Sequence, residues 1–596
     1  MARIVSNTGT YAQKIEKFLG LNECKTGDSL LKMGEAAKLE NFKISKEFCL
    51  QIRPGTHTVV TLSEDGDPVR GLWTGTVGGT EYTLAACGGH VWNVTGMTGG
   101  IDLGTLTDDE TQFFGMNGNV YILNGHEYKY WTGSGQIQEV EGYVPCVITA
   151  AKPSGGGTTL ENYNLLSASR RQRFSADGTS KDYHLTEYPI TGVSRVTIND
   201  AETTAYTVNN ASGVITFTTA PAEGLSNVEV TYSVAEQRRD LIYTKRFHEF
   251  YNGTTDTRVF LYGDGSNLAL YNGLDENGVS RADYFPALNE IQVGAANTPI
   301  TGMIRHYSRM LAFKPNETYK VEYSAQTLAD NTVIAGFYVK PINRELGHEA
   351  PGQVYLCDNN PLSLCSGAVY EWKLYYSSAV VDERSSKRIS ERVETSLQNM
   401  DLKSCITYDD RWNYEYWITY DGTALIYNYA ADVWYKYTGL PQITGFTLVH
   451  NLLYFATADG KIMVQSSAYR SDDGANISAY WESGSMDFDV PWKKKWSKEL
   501  FVGLRATGDS ALTVTAMSDV KGEYYAKELS LSVNGFDHID FAHFSFLFRT
   551  TQKSIRARIR VPRFRVYKLI FSSDSDRHTA TVTDVTIMTR MPRKVR

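Results

Sequence analysis

The sequence predicts an all-β chain: a β-propeller, six blades favoured, with an inserted small β-sandwich, a C-terminal β-sandwich domain and a short helical N-terminal segment. Three observations predict it. A phrase recurs in which two alternating apolar runs flank a turn of Gly, Asn or Asp, as Leu84–Trp92, Val120–Tyr128, Val259–Tyr271, Leu311–Tyr319, Trp417–Tyr427 and Leu453–Ile462. Each is a β-hairpin signal, and hairpins repeated along a chain mark propeller blades. The 596 residues hold 38 Tyr against 24 Phe and 10 Trp, and Tyr suits a half-buried strand whose ring packs while its hydroxyl stays wet. The 50 Gly supply the turns.

The elements follow in order. Over 1–50, Tyr11, Ile15, Phe18 and Leu19 fall on one face of a short helix ended by Gly20, and Leu30 to Leu39 reads as a second helical patch. This segment is expected to pack against another chain. Residues 51–164 begin the propeller and end in Lys152–Thr159, a Gly-rich linker or exposed loop. Residues 165–236 hold several short strands, among them Val193–Ile198, Gly213–Phe217 and Val228–Tyr232. They are read as a self-contained insertion at an exposed loop, removable as a unit. Blade phrases resume over 237–474. From 475 to 596 the alternation of Trp481–Val490, Lys498–Arg505, Leu512–Met517, Ser554–Arg565 and Val582–Thr589 is that of a second β domain.

Composition bounds the function. Hydrophobic content of 42% and charged content of 21% are ordinary for a soluble globular chain. A net charge of −8 argues against a protein that grips phosphates, though not against a surface past which DNA slides. The N-terminus has no signal-peptide h-region, and no apolar run is long enough to span a membrane. Seven widely spaced cysteines without a CxxC read as free buried thiols of a reducing cytosol.

Catalytic, cofactor and metal signals are absent: no Walker loop, no HExxH, no GxSxG. Ser63–Asp67 has the wrong spacing for the repeated Asp boxes of sialidases. Asp256, Glu322 and Asp421 cannot be told from surface acids, although propeller glycosidases need converging carboxylates. His90, His126, His248, His306 and His450 are scattered and read as partly exposed structural residues. No enzyme activity and no cofactor are expected. Arg556, Arg558 and Arg560 alternate with Ile555, Ala557 and Ile559, which puts three guanidinium groups on one strand face. That basic strand is either a contact for DNA or an acidic partner, or the charged outer face of an edge strand. Trp492–Trp496 reads as a loop between sandwich strands, the alternative being a membrane-interface or nucleic-acid patch, and the basic tail Arg590–Arg596 as a mobile end, the alternative being a clip for a neighbouring subunit.

Three N-terminal pieces, Phe18–Asn22, Glu35–Phe42 and Ile52–Thr56, resemble the opening of bacteriophage tail nozzle and tail hub proteins of the tail tubular protein B type. In these, a Glu-Ala…Asn segment precedes Arg-Pro-Gly and the first blade. The insert, from Phe174–Gly178 to Pro221, resembles small sandwiches of phage virion proteins, and Trp481–Ser485 resembles their post-propeller domain. The resemblance makes Glu35, Asn41, Arg53, Pro54 and Gly55 a candidate assembly motif. It implies a virion protein made in the bacterial cytoplasm: a homo-oligomeric, usually hexameric, ring at the end of a short tail. Its partners would be the tail adaptor above, tail fibres and a host receptor, with phage DNA passing through the lumen without sequence-specific binding. The alternative is a receptor- or glycan-binding phage tail protein built on a propeller.

Overall fold

The computed structural model describes residues 9–23, 31–160, 162–235, 238–252, 257–327, 333–376, 381–382, 386–505, 510–520, 522, 524–531, 552–575 and 580–591. The chain divides into two compact units, one of Met1–Val69, Met97–Gly99 and Tyr355–Arg596, the other of Arg70–Gly96 and Gly100–Val354. Among the described residues seven four-stranded antiparallel sheets of one plan recur, and these are the blades of a β-propeller, one more than the six favoured from sequence.

The second unit carries blades 1 to 4, whose first strands are Val69–Val77, Gln112–Met116, Phe247–Asn252 and Gly302–His306. Strand alternation explains how they pack, since successive side chains leave opposite faces. In blade 2, Phe113, Val120 and Ile122 join a core with Leu84, Ala86 and Val91 of blade 1. Their chain neighbours Phe114, Tyr121 and Leu123 join another with Val259 and Leu261 of blade 3. Blade 3 repeats the pattern, sending Phe247, Tyr251 and Phe260 to a core with Met303, Met310 and Ala312 of blade 4. The turns carry the sequence signal faithfully. Asn117–Gly118, with φ of +53° and +78°, holds both central residues in the left-handed region, the twist a two-residue hairpin needs.

The inserted sandwich also belongs to the second unit. Its larger sheet runs Thr158–Thr159, Cys146–Ala151, Ser169–Ala176, Gly224–Ser233, Gly192–Ile198 and Ala201–Glu202, and its smaller one Asp182–His184, Val214–Phe217 and Tyr206–Asn209. The core includes Val147, Ile148 and Ala151 as well as Phe174, Tyr183 and Val230. The sheet therefore starts at Cys146, ahead of the boundary drawn at 165, and Lys152–Thr159 is its first hairpin rather than a linker. Between the first hairpin and the rest, the chain dips back to the propeller. Leu165 and Leu166 are buried in the core of blades 2 and 3. Asn164 donates to the carbonyls of Tyr143 and Asp283 at 2.9 and 2.8 Å and accepts the N–H of Phe285. A fragment of residues 146–234 is therefore expected to melt cooperatively by circular dichroism. One of residues 165–236, deprived of a core strand, should not.

The first unit holds blades 5 to 7, with first strands Tyr355–Cys357, Ile406–Asp410 and Ile443–Val449. Blade 7 is composite: its fourth strand is Gly55–Thr61, paired with Lys461–Ser466. The same unit contains the C-terminal sandwich, and here the N-terminal reading is corrected. Among the described residues of 1–50 there is no helix. Thr10–Ile15 pairs antiparallel with Thr581–Arg590, and Ala36–Glu40 with Ser478–Ser483. Leu50–Ile52 pairs with Phe42–Ile44 on one side and with Thr581–Arg590 on the other. The segment thus supplies strands to both sheets. Phe18, fully buried, meets Trp481 edge-on at 5.3 Å. The apolar residues Tyr11, Ile15, Phe18 and Leu19 suit a helix by spacing, but Tyr11, Gln13 and Ile15 also suit a strand, and tertiary pairing decides.

Candidate functional site

Asn41, Arg53, Pro54 and Gly55 of the candidate assembly motif are drawn together inside the first unit. Asn41 stands at φ +57°, a conformation its short polar side chain tolerates. Its Oδ1 accepts from Arg53 Nε (3.0 Å) and from the N–H of Thr438 at the end of blade 6 (2.9 Å). Its Nδ2 donates to the carbonyl of Ser478 at the entry to the sandwich (2.8 Å). Arg53, with a side chain only 1% exposed, forms a two-pronged pair with Asp472 at 2.9 and 2.5 Å and lies over the Tyr437 ring. Asp472 also accepts from the N–H and hydroxyl of Thr56 in blade 7. Pro54 offers its carbonyl to Arg53. At Gly55, a Cβ would stand 2.3 Å from the Ser471 carbonyl, so this close approach admits only glycine. Glu35 lies apart from this hub and closes its own loop, accepting from Lys32 N–H and Asn22 Nδ2. These residues fasten the chain to itself. Their deciding partner, Asp472, gave no signal in the sequence.

The basic strand is shorter than its alternation. Gln552–Ala557 pairs with Lys495–Arg505 and ends before Arg558, and Val561–Phe564 then takes over beside the same partner strand. The side chains nonetheless alternate as read: Arg556, Arg558 and Arg560 are exposed, while Ala557 and Ile559 are buried. Arg556 pairs with Glu499; among the described residues Arg558 and Arg560 have no ion pair. In Trp492–Trp496, Trp492 is exposed while Lys495 is buried and donates to the carbonyls of Val490 and Lys493. Arg590 closes the last strand; 592–596 lie outside the described residues, as does Asp256.

The histidines do not gather, and no group of three or more metal-ligating side chains occurs among the described residues. His90 and His126 meet Asp102 and Asp109, each at 3.0 Å. His306 is fully buried rather than partly exposed, and burial holds its ring down at about 4. Glu322 pairs with Lys320, and Asp421 sits in a hairpin turn. Six cysteines, from Cys49 to Cys405, are free and buried, and Cys24 lies outside the described residues. No helix among the described residues is long and apolar enough to cross a membrane.

One strongly perturbed acid was not singled out from the sequence. Glu249 lies on the first strand of blade 3, beside Arg305 of blade 4. Burial pushes its carboxyl up to about 8, against the smaller pull of the Phe250 N–H and of Arg305. Folding therefore favours its protonated form. Its contribution is full below the ordinary carboxylate range and is lost as pH rises through 8, at up to about 1.4 kcal/mol per pH unit. Glu249→Gln should flatten that decline: denaturant midpoints of variant and parent converge near pH 5, and the variant is the more stable at pH 9.

No family model matches the chain, and no curated protein sequence matches it. Among solved structures it is similar to BamB from Moraxella catarrhalis, with 11% identity over 70% of this chain and 100% of that one and a TM-score of 0.29. It is also similar to the Dos1 propeller, with 9% identity over 70% and 96% and a TM-score of 0.29. Likeness at such scores carries no argument about function. The propeller assignment rests on the chain's own seven sheets.

Proposed function

We propose that the chain is a structural, non-catalytic subunit of a bacteriophage tail, a nozzle or hub protein that assembles into a ring for DNA ejection. The observation that carries this reading is the order of parts. The Glu35–Asn41 and Arg53–Gly55 motifs precede the propeller, a small sandwich interrupts it, and a β domain follows it, in the sequence order of the family the chain resembles. The net charge of −8 supports it, since an acidic wall does not hold a polyanion. The ring would be a hexamer, carried in the virion below a tail adaptor and beside tail fibres. Because the strands Thr10–Ile15, Ala36–Glu40, Phe42–Ile44 and Leu50–Ile52 are built into the chain's own sandwich, ring contacts are assigned to other surfaces.

Cryo-electron microscopy of the purified assembly tests this: six-fold rings are expected, whereas trimers or monomers would favour the receptor-binding alternative. The exposed arginines give a second test. If they face outward, reversing Arg556, Arg558 and Arg560 to Glu leaves DNA ejection from assembled particles intact or weakens subunit contacts. Intact particles that fail to eject would place these residues in the lumen.

A further inference from the structure

We propose that a cleft between blade 2 and the loop preceding the last strand of blade 3 binds a short neutral saccharide. The cleft encloses about 430 Å³, within the range of small-molecule sites. Asn119, Tyr121, Tyr130 and Glu141 face it from blade 2 and the segment after it, and Arg281 and Asp283 from the loop. The polar groups are held in place before any ligand arrives. Arg281 grips Asp283 through two parallel hydrogen bonds of 2.9 and 2.8 Å and stacks on the Tyr143 ring at 4.9 Å. Asn117, at the turn of the blade 2 hairpin, pins the loop by donating to the Ser280 carbonyl and accepting the Ala282 N–H. Tyr121 and Tyr130 stack with ring centroids 6.1 Å apart, Tyr121 buried and Tyr130 half-buried.

The chemistry narrows the ligand. One cation, Arg281, faces the carboxylates of Asp283 and Glu141, with Asp275 a further 3.8 Å from the guanidinium. Such a balance repels phosphates, sulfates and uronic acids. The Tyr121 hydroxyl, raised to about 12 chiefly by burial, stays protonated and can both donate and accept. Fixed donors and acceptors of mixed sense beside a tyrosine ring suit vicinal hydroxyls on one edge of a sugar and its C–H face on the other. The proposal stands whether or not the chain forms a ring.

An array of neutral gluco-, galacto-, manno- and N-acetylglucosamine oligosaccharides, with sulfated and uronic counterparts, tests it, followed by calorimetric titration of the best binder. Retention of at least one neutral oligosaccharide is expected. Tyr130→Ala and the isosteric Asp283→Asn should each weaken it tenfold or more while leaving the melting temperature and oligomeric state unchanged. Retention of no neutral glycan, retention of anionic ones alone, or undiminished binding by both variants would overturn it.

Discussion

A chain that begins at residue 46 is expected to be recovered insoluble, or as a species that binds apolar dyes and has lost its cooperative melt. The missing segment is not an appendage. It takes with it Thr10–Ile15, Ala36–Glu40 and Phe42–Ile44, one strand of the five-stranded sheet and two of the seven-stranded one. It also takes Ile15, Phe18, Leu21, Leu39, Phe42 and Ile44, each no more than 2% exposed. At about 1.5–3 kcal/mol for each buried side chain, the loss is on the order of 10 kcal/mol, comparable to the whole stability of a typical domain. Leu50–Ile52 would remain with one neighbour gone. A soluble truncated chain that melts within a few degrees of the parent would show the segment to be dispensable for folding and return it to a docking role.

The second large effect is expected at Arg53. Arg53→Leu leaves the Asp472 carboxylate facing Thr56 without its guanidinium, and Asn41 without one of its two donors. Breaking a buried pair from one side costs about 3–5 kcal/mol, because the remaining charge stays desolvated. Here Asp472 is 18% exposed, so the lower end applies. Asp472→Asn should cost a similar amount from the other side. The double variant Arg53→Leu with Asp472→Asn should lose less than the sum of the two, as a shared partner requires. Urea midpoints followed by tryptophan fluorescence measure all three. A shift below about 1 kcal/mol for Arg53→Leu would mean that the hub is held by its backbone bonds alone.

The hairpins were legible because their information is local. Asp421–Gly422, inside the phrase Trp417–Tyr427, announces a left-handed turn, and the alternation on either side announces the strands. Blade 5 was harder to see: its first strand, Tyr355–Cys357, has three residues, and Pro361 interrupts the alternation of the second. Blade 7 hides its fourth strand some four hundred residues upstream, where no window can find it. The same distance defeated the reading of residues 1–50, since the strands that make Thr10–Ile15 a strand lie at the far end of the chain. Among the site candidates, the arginine alternation was readable from Ile555, Ala557 and Ile559. The role of Arg53 was not, because Arg-Pro-Gly says nothing of Asp472. Glu249 looked like any acid in a strand; its place beside Arg305 of the next blade leaves no local mark in the sequence.

Arg53 and Asp472 are separated by 419 positions in the chain. A ribosome moving at roughly 5–20 residues per second takes about 20–80 s to cover that interval. Throughout it, Gly55–Thr61 has no strand to join, and Thr10–Ile15 waits longer still. Blade 7 can therefore close only after Lys461–Ser466 has been made, and the seven-stranded sheet only after Thr581–Arg590. A prematurely stopped chain keeps open strand edges that are prone to aggregate and to attract chaperones or proteases. The fold in this way withholds its finished edges until Thr581–Arg590 is in place.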